Sequence, residues 1–225
     1  MKRRVYYIII VSLSISFYAT AQSEVGYRSF VDKVGNPSII KTGTFPIAYH
    51  TIREGSFYIQ SDEYKRGSVK YNGKMYYDLL LNINAHLDEL YIRDISNPNS
   101  LVLTKDLIEY FYIDNKFYKN LKTEQMSGFY EVIVEGDVSL YKKVQKTFYQ
   151  RIVDMEVSRE FKESVSYFVV SGDNVVKLSS PKKVLNLYEH HKRAIKSELR
   201  NTRLNHRVNP DAYLSFIIEW INQQH

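Results

Sequence analysis

Histidine changes charge nearest neutral pH and is the commonest metal ligand, so His50, His86, His190, His191, His206 and His225 are the first residues to weigh for chemistry. His190 and His191 are neighbours, and successive residues on a helix do not face the same way, so the two cannot enter one site. There is no HExxH, no His pair at i, i+4 and no cysteine, so the usual zinc patterns are missing. Asp88-Glu89 offers two carboxyls, which could share acid and base work on a glycosidic bond if they stood about 5 to 9 Å apart across a cleft. Acidic residues are also common in turns, and a solvated turn is the reading adopted for this pair. Asp114-Asn115 and Asp173-Asn174 read as acidic turns too, since neither runs on into the spaced carboxylates of a calcium loop. No Gly-x-Ser-x-Gly elbow occurs, and the nine glycines form neither GxGxxG nor a Walker A loop. Catalytic residues are therefore unknown at this level, and no cofactor or metal is expected.

The chain opens Met1-Lys2-Arg3-Arg4, meets no acidic residue until Glu24, and runs uncharged from Val5 to Ala21 with Ala19-Thr20-Ala21 at its end. Those are the charged, apolar and small-residue regions of a cleavable secretory signal peptide over residues 1–21. A retained anchor would need about 20 predominantly apolar residues, and Ser12, Ser14 and Ser16 dilute this stretch. Export to a periplasm or to the medium is the expectation. A bacterial lipoprotein anchor needs a cysteine, and the chain has none. No disulfide can support the fold, so stability must come from packing.

Without the leader, 28 basic residues face 25 acidic ones, a net of +3 in place of the +6 of the whole chain. That is too little to point to nucleic acid, and the basic segment Lys182 to Arg207 reads as a solvated helix face. Tyrosine is the oddity, at 20 residues. Aromatics suit a pleated, half-buried surface, so they read first as cross-strand core pairs and second as a lining for sugars or peptide.

Residues 22–55 read as an irregular lead-in with short strands around Phe30 to Val34 and Ser38 to Ile40. A strand follows at Ser56 to Ser61. The strongest local signal is SVKYNGKMYY, where Asn72-Gly73 supplies the positive φ of a two-residue hairpin turn. Further strands are expected at Leu79 to Asn84, Leu90 to Arg93 and Leu101 to Leu103, with a loop at Ser96 to Ser100. A second hairpin turns at Asp114 to Lys116. A third joins Phe129–Glu135 to Val138–Gln145 and places Tyr130, Val132 and Val134 on a buried face, with Glu131, Glu135 and Lys143 on a wet one. A fourth turns at Ser171 to Asn174. Tyr149 to Ser164 is polar and unassigned.

Ser180-Pro181 and Asn209-Pro210 are helix starts. After them Val184, Leu187, Tyr188, Ile195 and Leu199, then Tyr213, Leu214, Ile217, Trp220 and Ile221, recur at helical spacing. Strand pairs followed by helices give an α+β fold. The expectation is an antiparallel meander or curved sheet of about 8–10 strands over residues 56–179, with two C-terminal amphipathic helices in 180–225 packed on it as one domain.

The segments GSVKYNGKMYYDLLLNINAHLDELYI, LTKDLIEYFYIDNKFY, GFYEVIVEGDVSLYKK and LYEHHKRAIKSELR together resemble a broad group of signal-peptide-bearing exported proteins of the Bacteroidota, from about Gly67 to Asn222. The resemblance implies an envelope or secreted address in a double-membrane bacterium. It carries over no catalytic residue, because none is known for the group. Three functions follow as expectations. The first is a non-enzymatic binding module for an envelope protein, a glycan or another ligand. The second is a carrier holding a lipid or other apolar ligand in a cavity beneath the helices, and the third is a hydrolase whose site is assembled from scattered residues.

Overall fold

Asn72 and Gly73 adopt φ of 50° and 75°, and this left-handed pair turns β1 (Lys65–Tyr71) into β2 (Lys74–Asn84). The computed structural model describes residues 43–49, 51–94, 97–153 and 155–224. The leader, the short strands expected around Phe30 to Val34 and Ser38 to Ile40, His50 and His225 lie outside the described residues. Eight further strands follow: β3 (Glu89–Asp94), β4 (Asn97–Val102), β5 (Ile108–Ile113), β6 (Lys116–Lys122), β7 (Ser127–Val134), β8 (Val138–Val153), β9 (Glu156–Ser171) and β10 (Asn174–Leu178). All pair antiparallel in one sheet of order β10-β9-β8-β7-β6-β5-β1-β2-β3-β4. The four expected hairpins are present. β5 returns to pair with β1, which splits the meander into two runs.

The sheet curls. The Lys146 N–H of β8 donates to Ala85 O just past β2 (3.1 Å), and His86 Nδ1 lies 2.9 Å from Lys146 O, although four strands separate β8 from β2 in the sheet order. The polar stretch left unassigned, Tyr149 to Ser164, forms the outer half of a continuous β8–β9 ladder that runs from Val138↔Ser171 to Val153↔Glu156. Its alternation carries little apolar signal because much of this hairpin is exposed.

Three expectations are corrected. Ser56 to Ser61 makes no strand of its own. Tyr58 forms a single bridge to Asn84, and Ser56 Oγ takes the Tyr58 N–H, so side-chain hydrogen bonding competes with the ladder. The loop expected at Ser96 to Ser100 is largely β4, an edge strand that tolerates Pro98. In β7 a bulge between Val132 and Val134 moves Val134 to the opposite face from Val132, beside Leu140 and the helices.

The first helical segment is broken. A 3-10 turn at Pro181–Lys183 leads into α1 (Val184–Leu187). Tyr188 then leaves helical geometry (φ −124°, ψ 53°), and a second 3-10 turn at Glu189–His191 precedes α2 (Lys192–Thr202). Ser180 stands at the expected N-cap but makes no side-chain capping bond. The break lets Tyr188 lie against the core beside Val184 and Ile195. α3 (Pro210–Asn222) starts as expected, with Asn209 Oδ1 accepting the Ala212 N–H (3.0 Å). Tyr213, Leu214, Ile217, Ile218 and Ile221 pack on Val138, Leu140, Tyr167 and Val169 of the sheet. Asn222 closes the far end of α3, accepting from Val138 N–H and donating to Val138 O, both at 2.9 Å.

Candidate functional site

Cross-strand register decides which side chains share a face. On the side away from the helices, Tyr112 pairs with Phe117, Val132 with Tyr141, Tyr141 with Phe168, and Phe168 with Lys177. Tyr118 pairs with Glu131, which places Phe117 beside Val132 and joins these pairs into one row across six strands. Tyr112 and Phe117 stack at 4.7 Å, and Phe168 meets Tyr130 edge to face at 5.4 Å. Tyr112 is 42% exposed at one end of the row. Burial raises its phenol pKa, with the neighbouring Tyr110 and Glu135 adding to the effect. Lysines interleave: Lys119 lies over the Phe117 ring and Lys177 over Phe168.

Beside the row, at Tyr141, a groove of about 370 Å³ opens. Tyr141, Val170 and Leu121 form its apolar floor, with Met126 and Val175 beside them, and Gly172 and Asp173 at one margin. The opposite wall is the β6–β7 turn. It is held by the Thr123 N–H on Met126 O (2.9 Å), the Met126 N–H on Thr123 Oγ1 (3.0 Å) and the Thr123 hydroxyl on Met126 O (3.1 Å). Gly172 turns with φ 56°. The carboxylates of Glu124 and Asp173 are exposed and make no ion pair with a described residue, so an apolar floor sits between two acidic margins.

The helix-covered face carries a polar row instead. Tyr118, Glu131, Lys142 and Tyr167 stand side by side on β6 to β9. Lys142 Nζ binds Asp211 Oδ2 of α3 at 2.6 Å and lies 3.8 Å from Glu131, while Lys116 reaches Glu131 at 3.3 Å. The Tyr167 hydroxyl donates to Asp211 Oδ1 at 2.5 Å. Desolvation and these carboxylates push the Tyr118 and Tyr167 phenols well above their usual range, so both stay neutral donors. Every charge in the row has a partner within the protein.

Glu131 is 6% exposed and Lys143 7%, so the expectation of one wet face carrying both is corrected: both are covered, and because Glu131 pairs with Lys142 they stand on opposite faces. Lys143 is covered because Asp88 stands over it. The Asp88 carboxylate takes Lys143 Nζ and Lys105 Nζ, each at 2.7 Å, and the Phe129 N–H at 3.3 Å. Burial lowers the Lys143 pKa, and Asp88 offsets part of that. The solvated-turn reading of Asp88-Glu89 is thus corrected for Asp88, an anchor between the β2–β3 turn and β7–β8. Glu89 accepts from the Tyr91 hydroxyl (3.2 Å). Sequence reasoning missed the anchor because the lysines that define it lie 17 and 55 residues away.

The histidines do not converge. His86 sits in an aromatic cluster with Tyr49, Phe148 and Phe161, His191 meets Trp220 and His206 meets Tyr213, and His190 is exposed. No histidine is hydrogen-bonded to a carboxylate among the described residues, and these contain no cluster of three or more His, Cys, Asp or Glu able to hold a metal. Asp114-Asn115 and Asp173-Asn174 are hairpin turns, the first pair at φ 50° and 61°. The basic residues of Lys182 to Arg207 are mostly exposed on α2 and its flanking turns. No described helix is long and apolar enough to cross a membrane. Comparison with protein-family models, with curated proteins and with solved structures finds no match to this chain.

Proposed function

We propose that this chain is an exported, non-catalytic binding module that takes its ligand on the helix-free face of the sheet. The observation that carries the reading is the groove between the Thr123–Met126 turn and the Gly172–Val175 hairpin, which meets the aromatic row at Tyr141. Its size falls within the range of ligand sites, about 300 to 1,000 Å³. An apolar floor between exposed carboxylates suits a segment of peptide or glycan that presents hydrogen-bond donors beside an apolar surface. Export rests on the amino-terminal pattern of residues 1–21 and on the resemblance to exported proteins.

The carrier reading places its cavity beneath the helices. There, among the described residues, Val184, Ile195, Leu214, Ile217 and Ile218 meet the sheet with no exposed surface, which favours the groove over that reading. The hydrolase reading lacks a histidine joined to a carboxylate among the described residues.

The test is to probe peptide and glycan arrays with residues 22–225 and with the variant Val175→Arg, whose long cation would fill the groove. A ligand retained by the parent and lost by the variant supports the proposal. It is overturned if no ligand is retained or if the variant binds equally well. It is also overturned if the protein hydrolyses an ester, peptide or glycoside and one side-chain change abolishes that activity.

A further inference from the structure

A second cavity, lined by different residues, opens where the lead-in crosses the outer half of the β8–β9 hairpin. It measures about 220 Å³ and is bounded by Ala48, Tyr49, Phe148 and Arg159. The crossing is fixed by backbone hydrogen bonds, Arg53 N–H to Arg159 O (2.9 Å) and Phe161 N–H to Glu54 O (3.0 Å). Tyr49 packs against Phe57 at 5.0 Å and edge to face on Phe161 at 5.2 Å, and Phe148 lies 5.1 Å from Phe161. The two rings that bound the cavity are thus held from behind by other rings and are set before any ligand arrives.

Arg159 brings the charge. It sits opposite Gln150 across the hairpin, and its Nε–H donates to Gln150 Oε1 at 3.2 Å. No carboxylate among the described residues pairs with its guanidinium. The adjacent Glu160 is taken by Arg151 and Lys162. A guanidinium anchored through Nε keeps its terminal N–H groups for a planar, two-toothed acceptor, and carboxylate fits that fork. Aromatic walls add attraction for the flat face of a ring.

We propose that this cavity binds a small ring-borne carboxylate, its carboxyl on Arg159 and its ring resting against the surface that Tyr49 and Phe148, 6.0 Å apart, form together. An aromatic acid and a sugar acid share that chemistry. The site does not depend on the groove of the opposite face, and it can fail or succeed without it.

The test titrates benzoate, glucuronate and benzyl alcohol into residues 22–225 while following backbone amide and aromatic ring resonances. Benzoate or glucuronate should shift the signals of Tyr49, Phe148 and Arg159 at millimolar concentration, and benzyl alcohol should not. Arg159→Gln should weaken binding about tenfold or more, the loss expected of a charge-assisted pair, with an unchanged thermal midpoint showing that it is folded. Arg159→Lys, which keeps the charge and loses the fork, should bind in between. A response to benzoate alone assigns an aromatic acid, one to glucuronate alone a sugar acid, and one to both the shared carboxylate. The proposal is overturned if neither acid shifts these signals, if benzyl alcohol shifts them equally, or if both Arg159 variants bind as the parent does.

Discussion

The Tyr167 hydroxyl of β9 donates to Asp211 Oδ1 in the first turn of α3, 44 residues away, at 2.5 Å. Asp211 Oδ2 meanwhile holds Lys142 of β8 at 2.6 Å, so one carboxylate fixes the start of the last helix to two strands. Removing it leaves a mostly buried lysine with only Glu131, 3.8 Å away. Asp211→Ala is expected to lower stability by about 1–3 kcal/mol, and Asp211→Asn by less, since the amide oxygen still accepts from Tyr167. Urea unfolding followed by circular dichroism measures both, and equal midpoints for parent and Asp211→Ala would refute the role.

Asp88 is the corresponding pin on the other face. Asp88→Ala strands Lys143 without a counter-charge, and breaking such a buried pair costs about 3–5 kcal/mol. Gly128 stands directly beneath Asp88, at φ 97°, and a Cβ there would lie 1.7 Å from Asp88 Oδ2. Gly128→Ala should therefore destabilise by well over about 1 kcal/mol, through both backbone and clash. In the double variant the clash vanishes while the backbone strain stays, so the two losses should sum to less than their separate values. Additive losses would mean that the two residues do not meet.

Alkaline pH should unfold the protein in step with tyrosine ionisation. Burial holds the phenols of Tyr58, Tyr91, Tyr118 and Tyr167 above their ordinary value of 10.0 in the folded state. Above that value the unfolded chain loses these protons and the folded one does not. Their stabilising contribution is thus complete below pH 10 and falls as pH rises beyond it. Lys143 has the opposite sign: its lowered pKa makes stability rise with pH up to the ordinary lysine value of 10.5. One lysine is outnumbered by four phenols. Absorbance at the tyrosinate band should rise first for exposed tyrosines, then in a second phase coincident with loss of circular dichroism. A single phase with the fold intact would contradict this burial.

The end of the β8–β9 hairpin should tolerate change. Ile152 is 77% exposed and Met155 97%, so Ile152→Ser and Met155→Ser should each move stability by less than about 0.5 kcal/mol. A larger loss in thermal melts would show that these side chains are covered in solution.

The hairpins were legible because turn chemistry is local. Asn72-Gly73, Asp114-Asn115 and the Ser171–Asn174 turn carry their own conformational preferences, and flanking residues alternate with period two. Strand order was not, because nothing near Tyr71 or Ile108 in the sequence announces that they pair. Tyr71, Tyr76, Tyr91, Tyr118 and Tyr167 are buried, as the core reading expects, while Tyr112 is exposed. The groove was illegible for the same reason as the strand order, since Leu121, Tyr141 and Val175 come together only when three separate hairpins are in register. The arginine cavity depends on the lead-in crossing at Tyr49, a segment whose mixed composition fixes no partner in advance.

Asn222 grips Val138 across 84 residues, so the lid of the main core is synthesised well after the strand that it covers. Until it arrives, Val138, Leu140 and Val169 have no cover, and synthesis outruns completion of the fold. A chain cut before Pro210 should remain a loose, protease-sensitive sheet, and one that includes α3 should resist digestion.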